Sequence, residues 1–421
     1  MFENFITKKS INKALSQEEY YEIVDYMLKN KLNAEVSKMF LALNTFGMNK
    51  KEVLYLATAI RDSGKVLKYN QNILEKHSTG GVADSTSIIL IPLLASLGYK
   101  IIKTTARSLV FTNGSADRFG AIPNLKVKLS NNEIEKALAK TNACILSHKG
   151  DMCPADQILF DVIEKHELQN DINLLAASII AKKLASGAKS VLIDVKYGRN
   201  ALVKSYLQAY KMANIMKYAF KQCGVKSTIL ITSTYQPIGD SIGNSLEMLD
   251  AVDVLHGKRC LLRDIAIEYA MEMMKLAGAK MDDFDMRVLL GQALDNGRAW
   301  DRFVDIVKTQ GGDVSAIKKD SYFAPYNTKA IKSDFDGIVE SIDVMSLGEI
   351  VRKLCKTSHD NNIGITLNVK VGDKVSVGDE VAIFYYKNKK DYNDYKNVIA
   401  NCIRLTDVKV RKQSIIKKVI R

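Results

Sequence analysis

Hydroxyl side chains, two glycines and one lysine stand close together in residues 75–87, EKHSTGGVADSTS. Gly80 and Gly81 allow the backbone to approach a ligand closely, and Lys76 supplies a positive charge. A helix predicted after Asp84 points its N-terminal amides at this loop, and such amides stabilise anions. The hydroxyl donors are Ser78, Thr79, Ser85 and Ser87. The spacing is not that of a GxxxxGK[ST] loop, and it fits a small-anion site and a plain glycine turn about equally well.

Ser178 and Lys182 form a second polar pair, because a spacing of four residues places both side chains on one face of a helix. Such a pair can donate hydrogen bonds to a single ligand. Taken alone, Lys182 fits a solvated helix lysine, and His77 fits a loop histidine that is bonded to backbone. The site hypothesis therefore depends on whether these residues meet the 76–81 loop.

The chain carries 61 lysines and arginines against 47 acidic residues, which gives a formal net charge of +14. Basic side chains neutralise phosphates, so nucleic-acid binding is one interpretation. The acidic residues are spread among the basic ones, however, and no aromatic residues alternate with them as in single-strand binders. We therefore predict no nucleic-acid partner and expect the positive field to attract small anionic substrates.

The sequence contains no clear signal for a zinc site, a disulfide framework or a membrane span. The six cysteines form no CxxC pair and do not cluster with the five histidines, so buried reduced thiols are expected. The longest near-apolar run, residues 88–97, contains Pro92 and is too short to cross a bilayer. The start, MFENFITKKS, lacks the pattern of a secretory signal. The prediction is a soluble cytoplasmic protein without membrane contact.

The first 65 residues have the apolar periodicity and the capping residues of a small helical bundle. Ser16 with Glu19 and Asn49 with Glu52 match the capping-box pattern, and Asn33 is a further N-cap candidate. Strands and helices then alternate. The predicted strands are 99–105, 143–147, 190–195 and 225–233, and helices are predicted after residue 84 and at about 154–165, 172–185 and 241–256.

Alternating strands and helices predict a parallel sheet that helices cover. From Asp336 the pattern changes to short strands, GIVESIDV, GITLNVKV and EVAIFYY, with glycine–aspartate turns. The predicted fold class is therefore α/β with a separate all-α domain. It has a mixed, mostly parallel central sheet flanked by helices and a small β-rich C-terminal part.

The block KHSTGGV and its Ser/Thr-rich continuation resemble the phosphate loop of the thymidine and pyrimidine-nucleoside phosphorylase family. Further blocks resemble the family in the same order. They are TNGSADRFGAIP at 112–123, CPADQILFDVI at 153–163, AASIIAKKLASGAKSVLIDVKYG at 176–198, QPIGDSIGNSLE at 236–247, TQGGDVSA at 309–316 and VGDKVSVGDEV at 371–381. The resemblance thus extends over nearly the whole chain.

The resemblance implies a helical domain, 1–65 plus about 154–187, that faces an α/β phosphate-binding domain across a cleft. The α/β domain is 66–153 plus about 188–330, and a C-terminal α+β part is 331–421. A homodimer is also implied. The implied reaction is reversible phosphorolysis, in which phosphate attacks the anomeric carbon of a pyrimidine (deoxy)nucleoside, with thymidine the leading candidate. Free base and (deoxy)ribose 1-phosphate form, with inorganic phosphate as co-substrate and no organic cofactor.

Phosphorolysis needs a desolvated phosphate that is held in line by a cation and several donors. By resemblance the phosphate-binding residues are Lys76, Ser78, Ser87, Thr105 and Ser115. The family usually has serine at the position of Thr105 and threonine at that of Ser115, so both hydroxyls are kept. The leaving base gathers negative charge, which hydrogen-bond donors stabilise. By resemblance the base-binding residues are His77, Ser178 and Lys182, with His77 and Lys182 catalytic.

Several positions depart from the family pattern. The arginine expected on the PAD helix to hold the base falls at Ile163, which cannot donate a hydrogen bond. In the glycine-rich signature, the side chains that replace glycine or histidine are Ala106, Ser108, Val110, Phe111 and Asn113. The turn 198–200 and the segment 353–362 also lack the family's glycine runs.

Bacterial relatives hold a monovalent cation near the phosphate loop, and by resemblance the ligands here are Ala83, Ser85 and Asp250, with potassium as the ion. Alternatives to an active phosphorylase stay open. One is a relative that keeps the fold and the anion site without catalysis, which Ile163 and the altered signature favour. A phosphoribosyltransferase of the same general architecture and a basic nucleic-acid binder are the others.

Overall fold

The computed structural model describes residues 2–105, 114–147, 151–317, 327–358 and 360–421. The chain begins with four helices, α1 (Glu3–Ser10), α2 (Gln17–Asn30), α3 (Ala34–Phe46) and α4 (Lys50–Asp62). The capping boxes predicted from Ser16 with Glu19 and from Asn49 with Glu52 are confirmed at the starts of α2 and α4. Asn33 caps α3, also as predicted.

Strands and helices alternate through the middle of the chain. They are β1 (Leu74–Ser78), α5 (Thr86–Ser96), β2 (Ile101–Thr105), α6 (Ser115–Phe119), α7 (Asn131–Thr141), β3 (Ala143–Ser147), α8 (Pro154–Lys165), α9 (Ile172–Ala185), β4 (Ser190–Tyr197), α10 (Tyr206–Gln222) and β5 (Lys226–Ser233). They continue with β6 (Ser241–Ile242), α11 (Asn244–Leu255), α12 (Leu261–Leu276), α13 (Asp283–Asp295) and α14 (Arg298–Thr309). The predicted strands are confirmed to within two residues.

The first five strands form a parallel sheet in the order β5-β4-β1-β2-β3. Helices cover both of its faces, so apolar side chains of one strand pack on both sides of the sheet. Val191 and Ile193 of β4 pack into a core with α2–α4 and α8–α10, whereas Leu192 packs with α5 and α11–α14. The carboxyl ends of the parallel strands share one edge, so the loop after β1 lies there beside the end of β2.

The C-terminal part contains two small antiparallel sheets. Its elements are β7 (Asn327–Lys332), β8 (Gly337–Ile342), α15 (Val344–Ser358), β9 (Gly364–Leu367), β10 (Lys374–Val375), β11 (Glu380–Tyr386), α16 (Lys389–Asn401), β12 (Ile403–Thr406) and β13 (Ile416–Ile420). The sheet orders are β10-β8-β12 and β6-β9-β11-β7. The fold class predicted from the sequence is confirmed. None of the helices in the described ranges has the length and hydropathy of a transmembrane span.

Strand β13, which falls within the predicted C-terminal part 331–421, pairs antiparallel with β5 of the central sheet, because that edge strand offers unpaired backbone groups. Two predicted helix starts are wrong. Helix α5 begins at Thr86, not directly after Asp84, and Asp84 Oδ1 accepts from the Thr86 N–H at 3.1 Å. Helix α11 begins at Asn244, because β6 pairs with β9 and Gly243 turns the chain with a φ of 132°.

Gly187, which follows α9, has a left-handed backbone with a φ of 73°. A Cβ at this position would overlap the carbonyl oxygen of Leu67. We expect Gly187→Ala to lower the free energy of unfolding by about 3 kcal/mol, because positive-φ strain and a steric clash add together. Gly224→Ala is the matched control, since Gly224 has a φ of 69° in open space, and it should cost only about 1 kcal/mol. Equal losses in chemical denaturation would contradict the expectation.

Candidate active site

A cavity lies at the carboxyl edge of the central sheet, between the loop after β1 and the helices α8 and α9. The residues that line it from the sheet side are Lys76, His77, Ser78, Thr79, Gly80, Gly81, Asp84, Ser87, Lys103, Thr104, Gly114, Ser115 and Arg118. Those that line it from the helix side are Phe160, Ile163, Leu175, Ser178, Ile179 and Lys182. One cavity therefore brings together the residues predicted for anion and base binding, with the exception of Thr105.

Lys76 is the central cation of the sheet side, and only 3% of its surface is exposed. Its ammonium donates to Thr86 Oγ1 at 3.1 Å and to Ser87 Oγ at 3.3 Å, and it lies 3.9 Å from Asp84 Oδ2. Burial lowers the pKa of Lys76, and the Asp84 carboxylate opposes this shift. An ammonium fixed beside the N-terminus of α5 is well suited to hold an anion.

Lys103 is a second buried cation in the same wall, and the sequence analysis did not select it. Its Nζ donates to the backbone oxygen of Lys76 at 3.1 Å. Burial, together with the charges of Lys183 and Lys76, holds the pKa of Lys103 well below its ordinary value. An anion in the cavity would relieve this repulsion. The signal was available, because Lys103 stands in the fully buried strand β2, where lysines are rare unless paired.

The predicted hydroxyl donors do not all reach the cavity. Those that line it are Ser78, Thr79, Ser87 and Ser115. Thr105 donates its hydroxyl to Leu146 O at 2.8 Å and is not among the lining residues. Its neighbour Thr104 is among the lining residues, as is Lys103.

Arg118 supports the glycine loop from behind, and the sequence analysis did not select this residue either. Its Nε donates to Glu247 Oε2 at 2.5 Å, and its Nη2 donates to Gly81 O at 3.2 Å. Both side chains of the ion pair are buried, so loss of either partner would leave an uncompensated charge. The pair connects the 76–81 loop to α11.

His77 lies near the end of β1, between Lys76 and Ser78, and is half-buried. Burial, followed by the positive charges of Lys183 and Lys103, holds the pKa of His77 well below its ordinary value. The ring is therefore neutral near neutral pH and offers one N–H donor. It can stabilise developing negative charge by a hydrogen bond from this N–H, without first taking up a second proton.

The polar end of the helix side is a buried cluster of Asp156, Ser178 and Lys182. Ser178 donates to Asp156 Oδ1 at 2.6 Å. Lys182 donates to Asp156 Oδ2 at 3.0 Å and to Ser178 Oγ at 2.6 Å. The spacing of four residues places Ser178 and Lys182 on the same face of α9. Asp156 belongs to the PAD block on α8, but the sequence analysis did not select it as a site residue.

Two family models match the chain: the Glycosyl transferase family a/b domain over residues 70–300, and the Pyrimidine nucleoside phosphorylase C-terminal domain over residues 338–406. The pyrimidine-nucleoside phosphorylase of Staphylococcus haemolyticus is 31% identical over 408 residues, which cover 93% of each chain. That of Geobacillus stearothermophilus is 30% identical over 426 residues, which cover 98% of each chain. The chain belongs to the pyrimidine-nucleoside phosphorylase family.

The fold is also shared outside the pyrimidine-nucleoside phosphorylases. Anthranilate phosphoribosyltransferase from Thermus thermophilus aligns with a TM-score of 0.59 and 16% sequence identity. The alignment covers 73% of this chain and 99% of the other. At this identity the comparison concerns the architecture alone.

Within the pyrimidine-nucleoside phosphorylase fold, Ile163 faces the cavity with 2% of its surface exposed. Its neighbours in the lining are apolar, Phe160, Leu175 and Ile179. On the described helix-side wall, Lys182 is the one cation. The wall is therefore apolar except at the Asp156 cluster. The altered glycine signature, with Ala106, Ser108, Val110, Phe111 and Asn113, lies outside the described residues.

The residues predicted to bind a cation are Ala83 and Ser85, which follow the 76–81 loop, and Asp250 on α11. Ala83 O accepts from the Gly239 N–H at 2.7 Å. Asp250 Oδ2 accepts from two N–H groups of the loop before α11, at 2.9 and 2.8 Å. A Cβ on Gly239 would stand 3.0 Å from Ala83 O and 3.2 Å from Asp250 Oδ2, so both oxygens lie close to Gly239. Ser85 is in the same loop as Ala83.

His77 should make the stability of the protein fall on the acid side. Because its pKa is lower in the folded state, the unfolded chain takes up a proton below the ordinary histidine pKa of about 6.5, whereas the folded chain does not. The free energy of unfolding should therefore fall with decreasing pH, by up to about 1.4 kcal/mol per pH unit from this group. His77→Gln should have a shallower slope in denaturant titrations between roughly pH 7 and roughly pH 5. Identical slopes would contradict the expectation.

Proposed function

We propose that the protein catalyses the reversible phosphorolysis of pyrimidine (deoxy)nucleosides, with thymidine as the first candidate substrate. The observation that carries the proposal is the pairing of two buried lysines, Lys76 and Lys103, with the Ser178–Lys182 cluster across a single cavity. One side has the charge and hydroxyls that a phosphate needs, and the other has donors for a leaving base. Relatives at about 30% identity over nearly the full chain are pyrimidine-nucleoside phosphorylases.

In this proposal, phosphate binds to Lys76, Lys103 and the hydroxyls of the sheet side, where it loses its water and faces the anomeric carbon. The C–O bond to phosphate forms as the glycosidic bond breaks, and the bonding electrons leave with the base. Negative charge on the base is stabilised by the Lys182 ammonium and by the neutral His77 N–H. The products are the free base and (deoxy)ribose 1-phosphate.

The test is phosphate-dependent release of thymine from thymidine and of uracil from uridine by the purified protein. We expect release that saturates with phosphate and is absent without it. The control is the Lys76→Ala variant, which keeps the cavity but removes the central cation. Release no greater than that of the variant would contradict the proposal.

Ile163 favours a second candidate function, a relative that binds phosphate and base but turns nucleosides over slowly or not at all. The apolar wall around Ile163 offers no donor to the side of the base away from Lys182. A melting-temperature increase with phosphate, combined with no base release, would support this second candidate over the first.

We also propose that a potassium ion binds near Ala83 and Asp250 and stabilises the phosphate loop. Ala83 O accepts from the Gly239 N–H, and Asp250 accepts from the N–H groups of the next two residues, so both carry oxygens at one short loop. Potassium chloride should raise the melting temperature more than choline chloride at equal ionic strength. Asp250→Asn should abolish the difference, and an equal effect of both salts on the unaltered protein would refute the site.

A homodimer is the assembly we propose. Large apolar side chains stay exposed near the first helices, with 59% exposure at Ile11, 39% at Leu41 and 41% at Phe46. A second copy would cover such residues. Sedimentation equilibrium should give twice the mass of the chain, and a monomer at all concentrations would rule the dimer out.

A further inference from the structure

The cluster of Asp156, Ser178 and Lys182 has hydrogen bonds of fixed direction, because its three side chains differ in what they can donate and accept. The Asp156 carboxylate can only accept, and the Lys182 ammonium can only donate. The Ser178 hydroxyl has one proton and two acceptor lone pairs. Each of these residues is more than nine-tenths buried, with 8%, 9% and 6% of its surface exposed in that order. Water therefore has little access with which to rearrange them.

The contacts determine where the Ser178 proton lies. Ser178 Oγ is 2.6 Å from Asp156 Oδ1, and a carboxylate cannot donate, so the proton is donated to Asp156. Lys182 uses one N–H for Asp156 and one for Ser178. One lone pair of Ser178 and one N–H of Lys182 then remain for a ligand. The cluster presents an acceptor and a donor side by side.

We propose that Asp156 determines which bases the site accepts, by making Ser178 a hydrogen-bond acceptor. This inference rests on the proposed phosphorolysis of pyrimidine nucleosides. A fitting base donates to Ser178 and accepts from Lys182 through neighbouring atoms. A pyrimidine dione does this with its ring N–H and the adjacent carbonyl, and that carbonyl gathers charge as the base leaves. Asp156 is a specificity-determining residue that acts through Ser178.

Cytosine fails the same test. In the position that a dione occupies, the N3 atom of cytosine carries a lone pair and no proton. N3 and Ser178 Oγ would then both be acceptors, and no hydrogen bond could form between them. The neighbouring lining residues Ile163, Leu175 and Ile179 offer no alternative partner. Sites that hydrogen-bond a substrate group strongly reject analogues that lack it, because the buried partner is left unpaired.

The experiment compares Asp156→Asn with the unaltered protein on uridine, cytidine and N3-methyluridine. The asparagine amide can donate to Ser178 through its nitrogen, which frees the Ser178 proton to face the cavity. The unaltered protein should prefer uridine to cytidine by at least about a hundredfold in kcat/KM and should reject N3-methyluridine. In Asp156→Asn the uridine-to-cytidine ratio should fall by about tenfold or more.

Asp161→Asn is the matched control, since Asp161 is on the same helix and accepts from Gln157 near the surface. Its uridine-to-cytidine ratio should be unchanged. If Asp156→Asn does not fold, Ser178→Ala serves as the second variant, because it keeps the Asp156–Lys182 ion pair and should also lose selectivity. A ratio that stays constant in the variant tested would overturn the inference, as would turnover of N3-methyluridine at the uridine rate.

Different results would contradict the phosphorolysis activity and the role of Asp156. Absence of turnover with every nucleoside would contradict phosphorolysis, and the inference is then tested by binding. Uracil should raise the melting temperature of the unaltered protein more than cytosine does. Asp156→Asn should reverse or remove that difference, and an identical response of both proteins to both bases would overturn the inference.

Discussion

Lys76→Ala should lower kcat/KM for phosphate by ~10²–10³-fold, the largest loss we expect from any single substitution in this chain. Lys76 is the cation nearest the N-terminus of α5, and its contacts with Thr86 and Ser87 hold the ammonium at the sheet side of the cavity. Without the Lys76 ammonium, the negative charge of Asp84 would be less compensated and would repel the phosphate more strongly. The nucleoside KM should change little, because the base subsite is on the opposite wall.

The measurement is initial-rate kinetics with phosphate varied at saturating nucleoside, together with the melting-temperature shift that phosphate produces. Lys226→Ala is the control, since Lys226 is exposed at the amino end of β5, which is the end of the strand opposite the cavity. It should leave the phosphate dependence unchanged. An unchanged phosphate dependence in Lys76→Ala would place the anion somewhere other than this loop.

The fold was largely predictable because its signals are local. Capping side chains mark the starts of α2, α3 and α4, and apolar runs mark the strands. The return of β13 to the central sheet was not predictable, because its partner β5 is distant in sequence and any exposed sheet edge could have received it. The start of α11 was missed for a related reason, since β6 forms only where β9 is available.

The site was predicted best where residues adjoin one another in sequence, as at Lys76–Ser78 in β1, and where a helix spacing joins them, as with Ser178 and Lys182. The missed residues act through tertiary contacts. Arg118 matters because Glu247 reaches it from α11, and Asp156 matters because α8 packs against α9. Thr105 was selected by resemblance, but its hydroxyl bonds to β3. A sequence pattern does not specify such cross-element contacts.

The buried charges show why the sheet side needs an anion. Burial lowers the pKa values of both Lys76 and Lys103, and the charge of Lys76 lowers the pKa of Lys103 further. Folding therefore brings two cations into a poorly solvated place without full compensation from Asp84. A bound phosphate supplies the missing charge, so ligand binding and folding stability should be linked at this site.

Ile163→Arg should raise kcat/KM for the nucleoside by about tenfold to a hundredfold, because it adds a charge-assisted donor to the leaving base. The same substitution should lower the melting temperature, since the guanidinium is placed among Phe160, Leu175 and Ile179. Steady-state kinetics on thymidine and uridine, with calorimetry of the free protein, measure both effects. A rise in kcat/KM together with a fall in melting temperature would show that the higher activity does not come from higher stability.

Ile179→Arg is the matched control, because it introduces the same charge on the other helix of the same wall. It should lower stability without raising activity, since only position 163 is where the family places its arginine. If Ile163→Arg raises activity, the chain is a phosphorylase weakened at one position. If phosphate still binds and Ile163→Arg changes nothing, the weak point is the segment 106–113, where the sequence has side chains in place of several of the family's glycines. The two outcomes distinguish weakened base binding from weakened phosphate binding. The residues proposed for these two tasks are on opposite walls of the same cavity.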